Sequence, residues 1–275
     1  MIVLSLGGGV QSTVLALMAV RGELELDHII FSDPGNESKA TYNHMEWLEP
    51  VMIEAGLDYR RVSGGNIYDD VMAFVKDPEA KTGSIGQPPF MGIRTDGDTG
   101  VLKSQLWRKC TAEYKILPIE REVRKILGLK KHQHMPKGFI CTKLLGISLD
   151  EVQRMKPSRN KWELTRYPLI DMGMTRWDCF RWLEKHGYPE PPRSACVICP
   201  FHNDDQWRDI KNNSPDEFES ACKMDDAIRS DIPGQIGEAY IHGSCVPLRD
   251  VDFSNDIDRG QVELFKGECD GYCGT

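Results

Sequence analysis

Three consecutive glycines, Gly7–Gly9, stand between an apolar β-branched run, Ile2–Leu6, and a series of small and apolar residues, Ser12–Val20, with the character of a helix that packs on a sheet. A strand that enters a helix through residues without side chains leaves a nest of backbone N–H groups, backed by the positive end of the helix dipole. Such a nest suits an anion, and phosphate above all. The plain alternative is a tight turn that holds nothing. Spacing excludes two common phosphate loops. No Gly-Lys-Ser/Thr follows, as a Walker loop requires, and no glycine stands at the third position of GxGxxG.

The pattern continues as alternating elements. His28–Ser32 reads as a second buried strand ending at "DPGNE", Met45–Ala55 as an amphipathic helix, and Tyr59–Val62 as a third strand. Strands alternating with helices predict an α/β fold with a parallel sheet flanked by helices. Ligands of such sheets sit beyond the C-terminal strand ends, so "GGGVQS" and "SDPGNE" should border one crevice. The glycine- and proline-rich stretch from Asp77 to Gly100 reads as a long loop. Ile116–Leu127 reads as a helix, Phe139–Ser148 as a core strand, Arg176–Lys185 as a helix, and the remainder as polar and loop-rich.

A net charge of −8 argues against a protein that coats nucleic acid by overall charge. Locally the balance reverses, with ten Lys/Arg and three acids from Lys103 to Lys137, a segment able to follow a phosphate backbone or to serve as a solvated helix face. Trp162, Trp177, Trp182 and Trp207 are candidates either for stacking bases or for anchoring a core. No run of about 18 apolar residues occurs, and the N-terminal residues read as a strand rather than a signal sequence. The expectation is a cytoplasmic protein with no membrane partner.

"GGGVQSTVL" resembles the pyrophosphate-binding loop of the PP-loop, or adenine nucleotide alpha-hydrolase, superfamily, in particular its phosphoadenosine phosphosulfate reductase-like branch. Gly7 stands where the loop usually has its first serine, Gln11 where it has aspartate, and Ser5 lies just upstream. "FSDPGNE" is similar to the second motif of that branch, "KCTAEYKILPI" to its cysteine, lysine and proline segment, and "LLGISLDEVQR" to its glycine-centred motif. The four ordered motifs cover about the first two-thirds of the chain. The resemblance implies a Rossmann-like fold and a nucleotide site drawn from Ser5, Gly7, Gly8, Gly9, Gln11, Ser12, Phe31, Asp33, Glu37, Gly146 and Arg154. It implies catalytic roles for Ser12, Asp33 and Lys115, with ATP and Mg2+ as the species bound. Ser148 occupies a place where an arginine is common, which turns attention to Arg154, Arg159 and Arg166 for anion contact.

Nine cysteines in a chain of this character read as thiols, metal ligands or small core residues rather than a disulfide framework. "CVIC" sets Cys196 and Cys199 at a spacing that lets both sulfurs reach one metal, zinc or an iron–sulfur cluster. By resemblance to sulfonucleotide reductases that carry a [4Fe–4S] cluster, Cys110 joins them. Cys273 or Cys269 then supplies the fourth ligand, or that position stays open for sulfide or substrate. A Zn2+ clip of the same residues is the alternative. Cys141 reads as core.

Two regions are expected, a nucleotide-binding α/β domain over 1–170 and a cysteine-bearing region over 171–275. The function implied by the resemblance is ATP-dependent activation of an acceptor, forming AMP and pyrophosphate, followed by sulfur transfer at the cluster. The acceptor would be a nucleobase or nucleic acid and the donor a sulfur-carrying protein. A sulfonucleotide reductase, with a tail cysteine as nucleophile, and a nucleotide-binding module with structural zinc are the alternatives.

Overall fold

The computed structural model describes residues 1–77, 86–96, 100–230 and 237–254. Along the chain these form β1 (Ile2–Leu6), α1 (Val10–Val20), β2 (His28–Asp33), α2 (Lys39–Glu54), β3 (Asp58–Ser63), α3 (Ile67–Lys76), β4 (Met91–Asp96) and β5 (Gly100–Gln105). A π-helical turn, Thr111–Ile116, runs into α4 (Leu117–Ile126), followed by β6 (Cys141–Leu145), a 3-10 segment Leu149–Arg154 and β7 (Glu163–Arg166). Then come α5 (Pro168–Asp171), α6 (Arg176–Lys185), α7 (Asp204–Asn213), α8 (Pro215–Ala227) and β8 (Glu238–Tyr240). Among the described residues no helix is long and apolar enough to cross a membrane.

Contacts group the chain into two compact units, Met1–Gly64 with Tyr114–Ala195, and Gly65–Glu113 with the chain from Cys196. Each unit is therefore discontinuous in the sequence.

The first unit is built on a five-stranded parallel sheet in the order β3-β2-β1-β6-β7. Period-two alternation divides its side chains between two helix layers. Leu4, Leu6, Ile29 and Phe31 join α1, α2 and α6 in one apolar cluster, while Val3 and Ile30 meet Ile119 and Val123 of α4 on the other face. This is the α/β fold with a parallel sheet flanked by helices expected from the sequence, and it is compatible with a Rossmann-like arrangement. α1 is buried at ten of its eleven residues. That is why its sequence shows little polar face: it packs on β1 and against α2, α5 and α6. The expected second helix begins earlier, at Lys39, because Ser38 caps it by accepting from Thr41 N at 3.2 Å.

The second unit holds an antiparallel sheet in the order β5-β4-β8 and the helices α3, α7 and α8. Here two expectations fail. Residues 91–96, expected within a loop, instead pair antiparallel with 100–105, and Gly92 and Gly100, which suggested the loop, lie within the two strands. The polar chain after residue 200 carries two helices, α7 opened by a capping box between Asn203 and Gln206 and α8 by Pro215 in its first turn. Their narrow apolar stripe, with Trp207 fully buried and Phe218, Ala221 and Met224 beside it, is easily lost among charges. The buried carboxylate of Asp225 accepts from Ile241 N at 2.7 Å and Leu248 N at 3.0 Å and pairs with Arg229, which fastens the segments after β8 onto α8.

Candidate functional site

The strand order reverses direction at β1: β2 and β3 extend to one side, and β6 and β7 return on the other. At that switch point the turns after β1 and β6 lie side by side, which is where open α/β sheets bind ligands. Gly146, just beyond β6, sits so close to α1 that a Cβ there would lie 2.6 Å from Ser12 N and 2.8 Å from Ser12 Cα. Only glycine lets these two backbones touch.

The glycine turn is shaped by its own hydrogen bonds. Ser12 Oγ accepts from Gly7 N at 3.1 Å and donates to Gly9 O at 3.1 Å. Gly8 adopts φ +75°, and a Cβ on it would meet Thr41 Cγ2 at 3.3 Å and Met45 Sδ at 3.5 Å. Gly9 is the N-cap of α1, whose first internal bond runs from Thr13 N to Gly9 O at 3.0 Å. The amides of residues 9–12 thus have no carbonyl within the helix to bond. No acidic side chain occupies the first turn of α1. The arrangement can hold an anion through backbone N–H groups.

The neighbouring side chains tie this turn down. Gln11, 7% exposed, donates through Nε2 to Ser148 Oγ at 3.4 Å and accepts at Oε1 from Arg176 Nη1 at 3.2 Å. Its amide therefore links the first turn of α1 to the chain after β6 and to the start of α6. Ser194 Oγ donates to Gly7 O, and lies 3.4 Å from Glu37 Oε2. Glu37, with a side chain 1% exposed, takes Lys115 Nζ at 3.1 Å. Lys115 comes from the π-helical turn, whose Tyr114 carbonyl accepts from Ser32 Oγ at 2.6 Å.

Asp33 ends β2 and is committed within the protein. Oδ1 accepts from Gly35 N at 2.7 Å and Tyr42 Oη at 2.8 Å, and Oδ2 pairs with Arg61 Nη2 at 2.7 Å. Burial first, and then the Asp33 carboxylate, push the Tyr42 phenol above its ordinary range. Phe31 is buried in the ladder between Leu6 and Arg61, two residues before the strand ends, with the Arg61 guanidinium 5.7 Å from its ring centroid. Ser5 alternates onto the sheet face opposite Leu4 and Leu6, away from α1. Arg154 pairs with Glu151 Oε2 at 2.7 Å in the 3-10 segment.

The structure thus brings together Gly7–Gly9, Gln11, Ser12, Glu37, Lys115 and Gly146. It adds Arg176 and Ser194, which sequence reasoning missed because they reach Gln11 and Gly7 across 165 and 187 residues. No local pattern marks such distant partners.

The cysteine turn belongs to the second unit. Cys199 N donates to Cys196 O at 3.0 Å, and His202 Nε2 lies 2.9 Å from the same carbonyl. The Cys110 segment runs beside it: the Arg108 guanidinium lies 5.6 Å from the Phe201 ring centroid. Cys110, Cys196 and Cys199 are all partly exposed, whereas Cys141, Cys179 and Cys222 are buried thiols that burial pushes up to about 11, 12 and 11. Among the described residues no three His, Cys, Asp or Glu side chains converge closely enough to hold a metal ion. Cys269 and Cys273 lie outside the described residues.

No protein-family model matches the chain, and no curated protein matches it.

Proposed function

We propose that the chain is a PP-loop enzyme that uses ATP to activate an acceptor, releasing pyrophosphate into the turn after β1. The observation that carries this reading is the glycine turn itself, set at the switch point of a parallel sheet with Gly146 pressed against it. In the reaction an acceptor oxygen attacks the α-phosphorus, the bond to the bridging oxygen breaks, and pyrophosphate departs with AMP joined to the acceptor. Charge builds on the leaving phosphates, and amides aimed at them before the reaction stabilise it. Lys115, held by Glu37, adds a cation that moves toward phosphate when a more negative partner arrives.

The residues present do not form a protein cage for Mg2+. Gln11 is neutral and bonded on both ends of its amide, Asp33 is paired with Arg61, and Glu37 with Lys115. Magnesium would enter on the triphosphate oxygens rather than on a set of protein ligands. For sulfur transfer the support is the Cys196–Cys199 turn beside the Cys110 segment. The described thiols fall short of a cluster-holding set, so sulfur delivery remains a second half of the proposal to be tested by itself.

Equilibrium binding tests the first half. ATP and pyrophosphate should compete for one site, and Gly8→Ala should weaken both by about five- to thirtyfold, since its positive φ costs a side-chain-bearing residue roughly 1–2 kcal/mol. Absence of binding by either ligand overturns the reading. Iron, sulfide and zinc content after anaerobic purification tests the second half.

A further inference from the structure

A cavity of about 460 Å³ opens between the last four residues of β3, Arg60–Ser63, and one flank of α4, formed by Pro118, Arg121, Glu122 and Lys125. β1, β2 and β3 are parallel, so the cavity lies at the same edge of the sheet as the glycine turn, two strands away and thus about 10 Å across. Four cations and one carboxylate line it. Glu122 accepts from Arg60 Nη1 at 3.0 Å and from Lys125 Nζ at 3.0 Å, which holds both cations at the wall. Arg121 is exposed and pairs with no described carboxylate.

The positive surface continues past the cavity. Arg124 donates to Lys130 O at 3.2 Å and to Gln133 O, which folds the turn bearing Lys130 and Lys131 back onto the C-terminal end of α4. On the flank of α4 away from the cavity, Asn160 Nδ2 donates to Glu120 Oε1 at 2.5 Å, and Trp162 packs with Ile119 and Val123 beneath the helix. Arg159 and Lys161 therefore border α4. Lys130, Lys131, Arg159 and Lys161 are all exposed, and no described carboxylate pairs with them. The two acids of α4 are already bonded, Glu120 to Asn160 and Glu122 to Arg60 and Lys125. In a protein of net charge −8, one helix is thus edged by cations that nothing described neutralises. One phosphate would engage only a few of them, whereas the ten residues of α4 extend about 15 Å, the length of about four phosphates along one strand. Phe139, 76% exposed, precedes Ile140, whose N donates to Trp162 O at 2.8 Å, next to Lys161. An exposed ring among cations favours a nucleic acid over an acidic peptide, because bases stack on it and carboxylates do not.

We infer that the cavity between β3 and α4, with the cationic surface of α4, receives the backbone of a single-stranded nucleic acid. Phosphates meet Arg121 and Lys125 at the cavity and Lys130 and Lys161 further along, and an unpaired base stacks on Phe139. The inference rests on the ATP-using reading and names its acceptor class. A strand held along α4 ends at the edge of the sheet where the triphosphate would lie.

The test is fluorescence anisotropy of the full chain with a labelled single strand of about twelve nucleotides, within the usual span of such sites. Replacing Arg121, Lys130 and Lys161 together by Ala should lower the salt slope of log K by about 2, at roughly 0.7 per lost phosphate contact. Phe139→Ala should weaken the strand about fivefold or more. Lys185→Ala, an exposed cation of α6 on the other face of the sheet, should change neither. An unchanged slope in the triple variant overturns the inference, and so does an equal loss on Lys185→Ala. Displacement of the strand by polyglutamate at matched charge also overturns it, since the surface would then be one for acidic peptides. ATP binding measured on the same samples separates the two claims. Strand binding lost while ATP binding is kept locates the loss at α4, and strand binding without ATP binding in the unmodified protein sinks only the enzymatic reading.

Discussion

The turn after β1 and the turn at Cys196–Cys199 are both short loops fixed by a few hydrogen bonds, but they offer ligands different things. The glycine turn offers backbone. Its donors are amides placed by the strand, the helix and the abutting Gly146, so Gly7 and Gln11 can depart from the usual residues without removing the cradle. The cysteine turn offers side chains, and its capacity depends on how many sulfurs reach one point. Two come from the turn itself, and further ligands must come from elsewhere in the chain. A backbone site is thus secured by packing and a side-chain site by assembly, and substitutions should divide the two accordingly.

The largest effect is expected where packing is tightest. Gly146→Val should destabilise the protein by about 3 kcal/mol or more, because the new Cβ collides with backbone rather than with a flexible side chain, and nucleotide affinity should fall at least a hundredfold. Urea unfolding together with ATP binding checks both. Near-normal values would mean that the two turns can part without loss.

A smaller effect should follow acidification. His44 of α2, 7% exposed and 3.1 Å from Thr13 Oγ1 of α1, is pushed down by burial from 6.5 to about 4. The unfolded chain takes up this proton more readily. The contribution is therefore complete above pH 6.5 and declines as pH falls toward 4, by about 2 kcal/mol between pH 6.5 and pH 5. Denaturant midpoints across that window should fall less in His44→Gln. Identical slopes in both proteins would show that His44 does not anchor α1 through its neutral ring.

The smallest expected effect is the most discriminating. Cys196→Ser and Cys199→Ser should alter metal or cluster content but leave ATP affinity within about twofold, since the donors of the glycine turn are backbone amides that neither thiol supplies. A parallel loss of both would mean that the side-chain site supports the backbone site after all.

The legible parts of the molecule were those with local causes. Ile2–Leu6 and His28–Ser32 declare themselves as buried strands by apolar runs, and the glycines declare the turn between strand and helix. β4 and β5 were hidden because the glycines near them carry the same signature as a loop. α7 was hidden because one fully buried tryptophan does the work that several apolar residues do elsewhere. At the candidate site, Ser12 and Gly146 could be placed by motif, yet what they do could not. Ser12 uses its hydroxyl to shape the turn, and Asp33 and Glu37 are paired with cations remote in sequence.

The backbone contact between Gly146 and Ser12 also bears on timing. A receptor whose two lips already touch has little left to order when its guest arrives, so most of the cost of capture falls on stripping water from the phosphates. Nucleotide capture by such a receptor should be a single rapid step whose observed rate rises linearly with concentration, with no slow closing phase behind it.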